Sequence, residues 1–216
     1  MLEKMGEFFD RRLPSYDAHM MTNIESAAEF YPFTASLLPK EGGARVVDLG
    51  CGTGLELAAY FSMNPSAKIV GIDLAPGMLA ELKRKFSEKN ITLILGSYFD
   101  VPLDENAFDA AVSVESLHHF TKAEKIPLYK KLRAALKDQG YFILTDYFAS
   151  SDEEETALRT ELLCLKNEQG IKDNDFYHFD TPLTVTHECE ALTEAGFSKI
   201  EVLSAWGATC TIKAVK

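Results

Sequence analysis

Residues 46–57, VVDLGCGTGLEL, place three glycines at alternate positions behind an apolar run that ends in an aspartate. A short β-branched run of this kind reads as a buried strand. Alternating glycines are costly unless the backbone must bend sharply or let another group come close. A strand that feeds such a loop and then a helix opens a βαβ unit, so this one stretch sets the fold class. The chain keeps the same rhythm downstream. A helix is expected from Leu55 to about Phe61, then a strand at KIVGID, then a helix opened by Pro76. ITLILG, DAAVSV and YFILTDY read as three more strands, and TKAE at Thr121–Glu124 caps a helix that ends near DQG. Strands alternating with helices imply a parallel sheet covered on both faces.

The flanks depart from that rhythm. Met1 to Met21 is amphipathic and carries Phe8, Phe9 and Tyr16, and TNIE at Thr22–Glu25 has capping-box spacing for a helix to about Leu38. SDEE at Ser151–Glu154 caps a helix to about Glu168, followed by an irregular stretch and a helix closed by Gly196. Two last strands flank Gly207 so closely that they must pair antiparallel.

With 216 residues, 46% of them hydrophobic, the chain fits one domain, residues 1–216. Within it, 1–40 form an N-terminal helical flank, 41–147 a ligand-binding core, 151–184 an insertion and 185–216 a closing helix and hairpin. No apolar run is long enough for a membrane span. Early acids and the lack of an apolar signal core point to a cytoplasmic protein. Cys51, Cys164, Cys189 and Cys210 are scattered, which suits reduced thiols rather than disulfides or zinc. A net charge of −11 argues against a nucleic-acid surface. The basic stretch Lys122–Lys137 is expected to be a solvated helix face. Oligomeric state is not readable.

The ligand at the glycines can be narrowed. A triphosphate loop needs Lys-Ser/Thr after its last glycine, but Leu55 and Glu56 follow Gly54. A dinucleotide fingerprint needs GxGxxG, whereas Gly50, Gly52 and Gly54 give GxGxG, and Glu56 would oppose a pyrophosphate. An adenosine ligand without phosphate remains. Asp48 ends the first strand and suits a cationic amine, and Asp73 ends the second and suits ribose hydroxyls. GSY at Gly96–Tyr98 ends the third, where Ser97 can meet the adenine edge and Tyr98 its face.

VVDLGCGTG, GIDLAPGML and GSYFDVPLDENAFDAAVS followed by SLHHF, in that order, resemble the motifs of the class I S-adenosylmethionine-dependent methyltransferases. The likeness spans about Val46 to Tyr147. It implies a Rossmann-like three-layer α/β sandwich, with a seven-stranded, mostly parallel sheet whose last strand is antiparallel. It implies S-adenosyl-L-methionine as cofactor and S-adenosyl-L-homocysteine as product. Carried over residue by residue, the cofactor positions are Tyr16, Asp48, Gly50, Cys51, Gly52, Gly54, Asp73, Leu74, Met78, Ser97, Tyr98 and Ser113. Ser97 departs from the family, where an acid is common.

The implied reaction is in-line displacement of the sulfonium methyl by an acceptor atom. Alignment does most of that work, so no compact triad is required and none is seen. Tyr16, Glu115, His118 and Tyr147 are the catalytic candidates, with His19, His119 and Asp146 nearby. His118 and His119 are adjacent, which does not suit joint chelation, and no metal is expected. The N-terminal flank resembles the family's lid, and Tyr16 is expected to pack over the cofactor. DFYHFD at Asp175–Asp180 either lines a pocket or forms a solvated loop. The expected acceptor is a small molecule. RNA or protein methylation, or cofactor binding without transfer, are the alternatives.

Overall fold

The computed structural model describes residues 1–173 and 175–216. Its strands are β1 (Arg45–Leu49), β2 (Lys68–Asp73), β3 (Asn90–Leu95), β4 (Phe108–Val114), β5 (Leu136–Tyr147), β6 (Ser198–Trp206) and β7 (Thr209–Val215). They form one sheet in the order β3-β2-β1-β4-β5-β7-β6. β1 to β5 pair in parallel, while β7 runs antiparallel to both β5 and β6. The helices are α1 (Met5–Arg12), α2 (Tyr16–Asn23), α3 (Ala27–Ser36), α4 (Leu55–Met63), α5 (Pro76–Lys85), α6 (Lys122–Ala135), α7 (Asp152–Glu168) and α8 (Val185–Glu194).

Successive side chains of a strand point to opposite faces, and β1 shows why both faces must be covered. Val47 and Leu49 join a core with Leu128, Tyr129 and Leu132 of α6 and Ala191 and Leu192 of α8. Val46 joins the opposite core, with Phe30 of α3, Leu57 and Tyr60 of α4 and Leu79 and Leu82 of α5. Each such side chain, once fully buried, contributes about 1.5–3 kcal/mol. This is the three-layer sandwich expected, with the reversed strand at β7. Among the described residues no helix is long and apolar enough to cross a membrane.

Three local expectations are corrected. TNIE does not open a helix: Thr22 Oγ1 turns back to donate to the Ala18 carbonyl, and α3 starts only at Ala27, after Ser26 at φ 58°. α6 stops at Ala135 rather than near DQG, because Leu136 is extended, fully buried and paired with Phe108. The lysine-rich helix is not simply a solvated face either. Lys125 is buried in an ion pair with Glu188 of α8, and Glu188 also accepts from the Tyr129 hydroxyl. Lys131 donates to the Tyr98, Phe99 and Val101 carbonyls at 2.6–2.9 Å.

The N-terminal helices reach the carboxyl ends of the parallel strands. Asp10 Oδ1 accepts from Gly77 N at 2.8 Å, and Asp17 accepts from Thr53 Oγ1 at 2.5 Å and pairs with Lys85. The segment after α7 holds them down: Met5 N donates to the Phe176 carbonyl at 2.9 Å and His178 N to the Glu3 carbonyl at 3.0 Å.

Candidate active site

The chain leaves β1 through Gly50, Gly52 and Gly54, all at positive φ (72°, 48° and 75°). At Gly50 there is also no room, since a Cβ would lie 2.0 Å from Ser116 Oγ. At Gly52 a Cβ would meet the Tyr16 hydroxyl in ordinary contact, 3.8 Å away. Asp73, at the end of β2, ties this loop down. Its Oδ2 accepts from Gly52 N and its Oδ1 from Ala75 N, both at 2.8 Å. Burial still raises the Asp73 pKa against these N–H donors.

Above the loop lies a small cavity of about 40 Å³, closed by Met5, Phe9 and Tyr16 of the N-terminal segment. Of the expected cofactor positions, Tyr16, Gly50, Gly52, Asp73, Leu74, Met78 and Tyr98 line it. Burial first, then the charges of Asp73 and Glu56, push the Tyr16 hydroxyl well up, so it stays a neutral donor. Asp48, Cys51, Gly54, Ser97 and Ser113 sit behind the wall. Asp48 and Glu56 are both buried, and burial plus the charge of Glu56 raises the Asp48 pKa. Asp48 Oδ2 and Glu56 Oε1 have no partner. Ser113 Oγ donates to the Leu49 carbonyl at 2.9 Å, and Ser97 Oγ accepts from Phe99 N at 3.1 Å.

A second cavity of about 580 Å³ adjoins the first, and Phe9, Tyr16, Glu115 and His119 face both. Glu115 leaves the end of β4 at φ 49°, a strained conformation for a residue with a Cβ. Its Oε1 accepts from Thr209 Oγ1 at 3.2 Å. Burial, then the charge of Asp146, pushes its pKa up to about 7. His118 Nδ1 meets Asp146 Oδ1 at 2.6 Å, and its Nε2 lies 3.4 Å from Asp180 Oδ1. Burial alone would lower the His118 pKa, but these two carboxylates push it up to about 10. His119 goes the other way, lowered by burial and by His118. Tyr147 and His19 complete the expected set on this wall.

Of the two expectations for DFYHFD, the structure shows pocket lining. His178 and Asp180 line the cavity, while Phe176 packs on Phe99 and Phe120. Trp206 and Thr209 also line it and were not foreseen. Their only sequence signal is the tight hairpin at Gly207, whose end the sheet order carries to the site.

Residues 46–140 match a family described as "Methyltransferase domain". The match is to a methyltransferase domain and covers the sheet core from β1 into β5. A demethylmenaquinone methyltransferase of Symbiobacterium thermophilum is 28% identical over 145 residues, 63% of this chain and 56% of that protein. The chain thus spans little more than half the length of that relative. A carboxy-S-adenosyl-L-methionine synthase of Campylobacter concisus is 25% identical over 93% of this chain and 86% of its own length. An S-adenosylmethionine-dependent methyltransferase structure from Mesorhizobium loti shares the fold, with TM-score 0.64, 21% identity and coverage of 86% of this chain and 96% of that one.

The methyltransferase site fits S-adenosylmethionine in chemical kind. The glycine cradle offers close backbone approach, Asp73 a ribose acceptor and Tyr98 a ring. In size it does not yet fit, since ligand sites enclose roughly 300–1,000 Å³.

Proposed function

We propose that this methyltransferase moves the methyl group of S-adenosylmethionine to a small, partly apolar acceptor held in the 580 Å³ cavity. The observation that carries this reading is the shared wall of the two cavities, Phe9, Tyr16, Glu115 and His119. In this reading the acceptor and the cofactor occupy adjacent chambers. Bound S-adenosylmethionine supplies an activated methyl on a sulfonium. The protein's share is alignment and exclusion of water. Phe8, Phe9 and Trp206 supply apolar wall, and the polar groups cluster at the junction. Glu115 is the proton acceptor best placed there, with a pKa of about 7 that suits a base near neutrality.

The cavity's acids, Glu25, Glu115 and Asp180, face one arginine, Arg12. Together with the net charge of −11, this disfavours a polyanionic acceptor such as RNA. The four free cysteines fit work in a reducing compartment, the cytoplasm. The test is transfer from methyl-labelled cofactor to a small-metabolite pool, to total RNA and to total protein. Label in the metabolite pool is expected. Salt-sensitive label in RNA with none in small molecules would overturn the acceptor class.

A further inference from the structure

His118, His119 and Asp180 each bring a donor atom to one point on the acceptor cavity, all within 4.8 Å of one another. We propose that they bind a divalent transition-metal ion of the zinc and cobalt kind. Geometry supports this. His118 Nε2 lies 3.4 Å from Asp180 Oδ1, and the donor atom of His119 lies within 4.8 Å of both. Two ligands held at about 2.1 Å from a tetrahedral ion are separated by about 3.4 Å, the edge of that tetrahedron.

The surroundings are those of imidazoles set to coordinate. Ligating histidines commonly give their other ring nitrogen to a carboxylate or a backbone carbonyl. His118 Nδ1 is held by Asp146 at 2.6 Å, which leaves Nε2 facing Asp180. His119 Nδ1 sits 3.1 Å from the Phe179 carbonyl, and its Nε2 has no hydrogen-bond partner although the residue is 93% buried, at 7% exposure. A buried polar atom left unpaired costs about 1–3 kcal/mol, so it calls for a ligand. The two nitrogens and one carboxylate favour a borderline ion over magnesium or calcium. Adjacency in sequence is no bar, because the 3-10 turn Leu117–His119 tilts the two rings by 56° at 4.1 Å.

Two histidines and one carboxylate leave coordination positions open. Those positions face the cavity, where an anionic oxygen or sulfur of the acceptor would bind. This second statement rests on the proposed transfer function; the metal site does not.

The test uses the full-length chain, stripped with chelator and titrated with Co²⁺ while visible absorption is read. One equivalent should give a d–d spectrum without a thiolate charge-transfer band, and Zn²⁺ should bleach it. Asp180→Asn, at a half-exposed position that should not disturb folding, should weaken Co²⁺ at least tenfold. Asp146→Asn, which alters the group that holds His118 Nδ1 and also accepts from Leu117 N, should weaken it by about 10–100-fold. No spectrum at stoichiometric Co²⁺, a thiolate band, or an Asp180→Asn titration like wild type would overturn the site. S-adenosylhomocysteine binding by the stripped protein is measured in parallel, so loss of the metal site and loss of the cofactor site are read separately.

Discussion

Glu115 is the residue on which transfer should turn. It sits at the junction of the two cavities in a left-handed conformation that only surrounding structure can hold. Its pKa of about 7 makes a clear pH prediction. A base acts deprotonated, so kcat should climb with pH below about 7 and level off above it. Glu115→Gln should flatten that limb and lower kcat by about 100- to 10,000-fold, the usual contribution of general-base catalysis. An unchanged profile in the variant would move the base elsewhere. Asp73 and the three glycines were legible in sequence because their roles follow from position at strand ends. Glu115 was legible only as a neighbour of a strand end. Its raised pKa comes from burial and from the charge of Asp146, 31 residues further along the chain.

Among the elements, the first two helices decide access. α1 and α2 are pinned at several points: Asp10 to Gly77, Asp17 to Thr53 and Lys85, and Met5 to Phe176. Phe8 stacks flat on His178, with ring centroids 3.4 Å apart. Most of these ties are exposed or half-exposed polar contacts, each of small net stabilisation. Lids are drawn from such weakly held elements. Backbone amides of residues 8–21 should therefore exchange measurably in the free protein and slow when S-adenosylhomocysteine is added. Equal exchange in both states would mean that the cofactor arrives by another route. The aromatics Phe8, Phe9 and Tyr16, expected in a segment over the cofactor, line the cavities. The break at Ser26 was not visible in sequence, because the capping-box pattern at TNIE is a local signal. The chain instead used Thr22 to close α2 on itself. The buried Lys125–Glu188 pair was hidden for the same reason. A lysine on the polar side of one helix looks solvated until a second helix, α8, covers it.

At the scale of the whole molecule, buried acids gather at the carboxyl edge of the sheet. Burial is the main cause that raises Asp48, Glu56, Asp73 and Glu115 above the ordinary carboxylate range. The folded chain thus holds protons that the unfolded chain releases near pH 4. For a raised carboxyl, the stabilising contribution is full below the unfolded pKa and lost as pH climbs through the folded one. Asp180 runs the other way: despite burial, His118, His119 and His178 hold it down. The share of stability held by Glu115 should therefore be lost as pH climbs through about 7. S-adenosylmethionine carries a sulfonium charge that S-adenosylhomocysteine lacks. As the acids ionise they should hold the charged form better, so the ratio of the two dissociation constants should shift towards S-adenosylmethionine from pH 6 to 8. Calorimetry in buffers of different ionisation enthalpy should also register proton release with S-adenosylmethionine and less with its product. A ratio that stays constant across that range would mean that these carboxyls hold their protons for the fold alone and do not act on the cofactor's charge.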